Sequence, residues 1–69
     1  MPFVTIRIVK EVIADDPVAK KTAMSAKIVA AIAETAGISK DDVWVVFEEI
    51  AARDWFVGDH SVQALRDKG

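Results

Sequence analysis

The chain has 69 residues, no cysteine and one histidine, and sets nine Lys and Arg against eleven Asp and Glu. This excludes a disulfide framework, a cysteine-based zinc site and a histidine-rich metal cluster, and it leaves no basic stripe for nucleic acid. The composition is nevertheless 52% hydrophobic, more than one small domain spanning 1–69 can hide, so the excess predicts burial against further copies of the chain. No apolar run approaches the ~20 residues that cross a bilayer. Lys10 and Glu11 interrupt the first apolar stretch, which therefore does not read as a signal peptide. Cytoplasm is the expected compartment, and neither a metal nor an organic cofactor is expected.

Phe3 to Val9 is β-branched and free of Gly and Pro, and it predicts a strand. Val4, Ile6 and Ile8 share one face; Phe3, Thr5, Arg7 and Val9 share the other. After a connection over Lys10 to Asp15, Asp16-Pro17 marks a helix start, with Asp as acceptor for orphan N–H groups and Pro at the first helical position. The helix is expected to run from Pro17 to about Ala36 and stop at Gly37. Met24, Ile28, Ile32 and Thr35 form its apolar side, joined by Ala31 and flanked by Val29, while Lys20-Lys21 reads as solvated. Ser39 to Asp42 reads as a short capped turn.

Val43 to Glu48 predicts a second strand with Val43, Val45 and Phe47 on one face and Trp44, Val46 and Glu48 on the other. Five of these six residues are apolar, so both faces are expected to be covered. One helix covers one face, and the other, carrying Trp44 and Val46, must meet a neighbouring subunit. Ala51 to Gly58 reads as a loop carrying Arg53, Asp54, Trp55 and Phe56, followed by a polar tail with a short helix over Val62, Ala64 and Leu65. The fold class is α+β: a single β-α-β unit, hence parallel strands with a right-handed crossover. Two strands do not make an independent sheet.

The main chemical candidate is Pro2, which directly precedes the first strand. Initiator Met is generally trimmed before a small residue, proline included, and trimming would leave Pro2 a free secondary amine. The α-amino class ionises at roughly 7.7–8.0 against roughly 10.4 for lysine. Such an amine is therefore closer to serving as a base at neutral pH. Glu48 and Glu49 are a weaker acid–base candidate, because neighbouring strand residues point to opposite faces, and His60 reads as a surface residue of the tail.

Three stretches together carry a resemblance: Met1-Pro2-Phe3-Val4-Thr5-Ile6, then Val43-Trp44-Val45-Val46-Phe47-Glu48-Glu49, then Asp54-Trp55-Phe56-Val57-Gly58. With one helix between the strands, the chain resembles the 4-oxalocrotonate tautomerase family of the tautomerase superfamily over essentially its whole length. The resemblance implies that two β-α-β chains form a four-stranded sheet backed by two helices. It also implies that three such dimers make a homohexamer with active sites between subunits. The partners are then a small-molecule substrate and further copies of the chain, without nucleic acid or membrane.

The amino-terminal proline of that family, its catalytic base in keto–enol isomerisation, maps onto Pro2. The aromatic wall of the family's site maps onto Trp55. Two arginines common in the family have no counterpart: Val12 and Trp44 stand in their places. Substitutes must come from Arg7, Lys10, Arg53 or Arg66, with Arg7 and Arg53 the preferred catalytic candidates and Trp44 and Trp55 the substrate-binding ones. An aryl pyruvate enol suits two indoles better than a dicarboxylate does. Two other readings remain open. One is a hydratase or dehalogenase with protonated Pro2 as general acid, although Val57 stands where that chemistry places an acidic residue. The other is a noncatalytic oligomeric binding module.

Overall fold

The computed structural model describes residues 1–69. Strand β1 (Phe3–Val9) and strand β2 (Trp44–Ile50) pair in parallel, in register from Phe3 opposite Trp44 to Val9 opposite Ile50. Helix α1 (Pro17–Ala36) makes the crossover between them. Its start is chemically explicit: Asp16 Oδ1 accepts the Ala19 N–H at 3.2 Å, and Pro17 occupies the first turn. Its end is equally so, because Gly37 adopts φ 70° and donates its N–H to the Ala33 carbonyl at 2.9 Å. The expected β-α-β unit is thus present.

The second strand differs from its expected bounds by shifting along the chain. Val43 is instead the buried residue that closes a 3-10 turn over Lys40–Asp42, and pairing continues to Ile50 because Ile8 and Val9 supply partners. The helix face is also rotated from the expected stripe. Met24, Ile28 and Ile32 are half-buried as expected, but Ala31 and Thr35 are exposed, whereas Val29 is half-buried and Ala33 is buried. The small Ala33 side chain lets the helix approach closely at that point. Lys21 is likewise not a solvated residue: it reaches Glu49 on β2 at 3.0 Å and so ties α1 to the sheet.

After β1 the chain makes a 3-10 turn over Lys10–Ile13; after β2 it makes another over Ala52–Asp54. The stretch expected as a loop then forms a hairpin of β3 (Phe56–Val57) and β4 (His60–Ser61). Its two-residue turn is Gly58-Asp59, and Gly58 sits at φ 64°, a backbone state that favours glycine. Helix α2 (Val62–Lys68) follows, capped by the Ser61 hydroxyl accepting the Ala64 N–H at 3.1 Å.

Only Ile13, Ala33, Val43 and Ala52 are buried in the single chain. Against them stands an open sheet face. Phe3 is 60% exposed and Trp44 56%, with Val46 beside them, because α1 covers only the side carrying Val4, Ile6, Val45 and Phe47. The hydrophobic excess read from composition is therefore a located surface. No helix is long and apolar enough to cross a membrane.

Candidate active site

Pro2 precedes β1 and is half-buried. Its carbonyl accepts the Trp44 N–H at 3.1 Å, which extends the parallel ladder by one bond and fixes the proline at the sheet's leading edge. Met1 precedes it, so the Pro2 nitrogen is a tertiary amide in this chain and becomes an amine on hydrolysis of that bond. The Trp44 ring packs on Phe3 with centroids 6.4 Å apart, tilted by 47°. Pro2, Phe3 and Trp44 thus form an apolar corner at one end of the sheet.

Arg7 lies further along β1 on the open face, where its Nε reaches Glu48 Oε2 at 3.3 Å across the strand pair. An arginine in mid-strand needs a partner or an open site, and here it has both. Glu48 and Glu49 diverge as strand geometry demands, one to Arg7 on the open face and the other to Lys21 under the helix.

Arg53 and Trp55 belong to the opposite end. They follow β2, and in a parallel pair that places them beyond the end distal to Pro2. At about 3.3 Å per residue, the strands separate these ends by about 20 Å. One chain therefore brings Pro2 and Trp44 together and puts Arg53 and Trp55 elsewhere. It encloses no pocket.

Arg53 is exposed and forms no ion pair. Trp55 is half-buried and its backbone is held on both sides. Its N–H donates to the Ala52 carbonyl at 3.4 Å, and its carbonyl accepts the Val62 N–H at 2.7 Å. His60 is exposed, and its Nε2 lies 3.4 Å from Oδ1 of its neighbour Asp59. No group of three or more His, Asp or Glu side chains is arranged to hold a metal ion.

Sequence reasoning passed over Glu11. Its Oε1 accepts the Ala52 N–H at 2.9 Å, and that bond holds the carboxyl below the ordinary glutamate range, helped by Lys10 and Arg66 and opposed by desolvation. Nothing in the local pattern signals this contact, which spans 41 positions. Only the parallel register brings the end of β1 beside the end of β2.

No curated protein and no solved structure matched the chain significantly. The family model described as "Tautomerase enzyme" matches residues 2–65, beginning on Pro2 itself and ending within α2. A match of that extent, over the strand–helix–strand unit and the segment holding Trp55, shows that the chain belongs to the tautomerase enzyme family.

Proposed function

We propose that the protein is a tautomerase-type isomerase whose Pro2 amine, freed by removal of Met1, acts as general base for keto–enol proton transfer on a small carbonyl or carboxylate compound. The setting of Pro2 carries this reading: it is the first residue matched by the family and is pinned by the Trp44 N–H where β1 begins. The amine takes the enol hydroxyl proton, leaving an enolate and an ammonium. The ammonium then delivers that proton to the α-carbon as the C=C electrons form the new C–H bond and the oxygen closes to C=O. The amine is regenerated and nothing else is consumed.

The developing enolate needs a fixed cation, a task that suits a guanidinium. Arg53 and Arg7 are the available ones, since Val12 and Trp44 occupy the positions of the family's usual arginines. Trp44 and Trp55 would line an apolar pocket that accepts an aromatic enol, such as an aryl pyruvate, more readily than a dicarboxylate. Pro2 and Trp55 are about 20 Å apart in one chain, so a pocket using both requires a second copy running antiparallel to the first. A homo-oligomer built from dimers, in the form of a hexamer, meets that requirement and covers the open sheet face. The hydration alternative lacks support, because Val57 offers no carboxylate to activate water.

The test begins with intact mass at native expression, where a mass lacking one Met is expected. Processed protein should isomerise aryl pyruvate enols with one ascending limb in the pH profile of kcat/KM. Pro2→Ala should retain weak activity at best, and an N-terminal extension should abolish turnover while the oligomer persists. Undiminished turnover by the blocked protein would rule Pro2 out. Processed protein inert toward every enol and unsaturated acid would leave a noncatalytic assembly module.

A further inference from the structure

The turn that carries Arg53 and leads into Trp55 has a defect at its start. Ala51 stands at the N-cap of the Ala52–Asp54 turn and has no side-chain acceptor to offer. The first N–H of that turn, on Ala52, points back out of the turn, and the Ala52 residue is fully buried. A buried N–H without a partner is costly, and local residues of the Ser, Thr, Asp or Asn type usually meet the need. Here the acceptor comes from Glu11, on the turn after β1, at 2.9 Å.

The remaining side-chain hydrogen bonds of the chain are solvent-exposed; this one is partly buried. It is also the only side-chain hydrogen bond between the segment after β1 and the segment after β2.

We infer that Glu11 is a positioning residue, a cap supplied from across the chain that orients the Ala52–Asp54 turn and thereby sets the place of Trp55 as a wall of the substrate pocket. The hydrogen bonds form an unbroken relay: Glu11 holds the Ala52 N–H, the Ala52 carbonyl accepts the Trp55 N–H at 3.4 Å, and the Trp55 carbonyl accepts the Val62 N–H at 2.7 Å. Trp55 is therefore anchored to α2 on one side and, through Ala52, to the end of β1 on the other. The charged groups that act on Glu11 are Lys10 on its own turn and Arg66 of α2, and the turn it caps carries Arg53 and Asp54. Lys10 and Arg66 favour its ionised form and so favour the cap. The role in substrate placement rests on the tautomerase reading above; the cap itself does not.

The experiment compares Glu11→Ala and Glu11→Gln with wild type, using an aryl pyruvate enol as probe and NMR of the Ala52 amide. Glutamine keeps a neutral acceptor of the same reach, whereas alanine has none. Glu11→Ala is expected to raise KM about tenfold, the lower end of what a hydrogen bond to a charged group is worth. Its kcat should stay near wild type, the signature of lost placement rather than lost chemistry. Glu11→Gln should recover most of the difference, and the pH limb assigned to Pro2 should stay in place in both variants.

In wild type, the Ala52 amide shift should follow an acid titration below the ordinary glutamate range, and Glu11→Gln should abolish that titration. A wild-type KM in Glu11→Ala, or Glu11→Gln as impaired as Glu11→Ala, would overturn the positioning role. An Ala52 amide indifferent to acid would overturn the cap. Failure of the tautomerase reading registers separately, as processed wild type that turns over no enol while the Ala52 amide still titrates; that result removes the substrate role and keeps the cap.

Discussion

At the scale of single residues, the two candidate cations differ in what surrounds them. Arg7 is already paired with Glu48 at 3.3 Å on the open sheet face, while Arg53 is unpaired and sits two positions before Trp55. Arg53→Ala is therefore expected to lower kcat/KM by ~10²–10³, the usual loss for one transition-state donor, with the fold intact. Arg7→Ala should act mainly on assembly, and steady-state kinetics showing the opposite order would move the enolate partner to Arg7. The carboxylates have a definite pH signature. Glu11 is held below its ordinary range by the Ala52 N–H, and Asp15 by Lys20 Nζ at 2.6 Å. Because the folded values are depressed, their contribution is present above pH ~4, near the unfolded values. It is lost as pH falls through the folded ones. Acid unfolding should consequently be less steep in Glu11→Gln than in wild type, and identical acid curves would show that Glu11 is not coupled to folding.

At the scale of elements, α1 is delimited by its ends and steered by its sheet contacts. Asp16→Ala removes the acceptor of the Ala19 N–H and is expected to cost ~1 kcal/mol. Gly37→Ala should cost ~1–2 kcal/mol for a different reason: a Cβ there meets nothing within 4 Å, but the residue holds φ 70°. Chemical denaturation at fixed protein concentration measures both, since dissociation is linked to unfolding. A neutral Gly37→Ala would mean that the helix end rearranges. Both signals were legible in Asp16-Pro17 and Gly37. The rotation of the buried stripe toward Val29 and Ala33 was not, because periodicity shows that a face exists while packing on β1 and β2 selects its centre.

At the scale of the whole molecule, four buried residues in 69 form too small a core to stand alone, and the exposed Phe3, Trp44 and Val46 mark what remains to be covered. Light scattering is expected to report an oligomer of paired chains at micromolar concentration. Val46→Lys, placed on the open face away from α1, should dissociate or unfold it, because a lysine cannot be buried there without a partner. A stable folded monomer of wild type would remove the argument that the site lies between copies.

The sequence alone determined the element order, the parallel crossover and the candidacy of Pro2. Those follow from local chemistry: β-branched runs, an Asp-Pro helix start, a glycine stop, and a proline ahead of a strand. It also told that apolar surface exceeds what one chain can bury, since composition and length decide that together. Only the tertiary structure decided that Pro2 and Trp55 lie at opposite ends of one sheet, that Arg7 is held by Glu48, and that Glu11 caps the turn at Ala52. The physical reason is range. Capping and periodicity act over a few residues, whereas these contacts join β1 and its following turn to β2 and its own, and the register of two strands far apart in the chain sets every one of them.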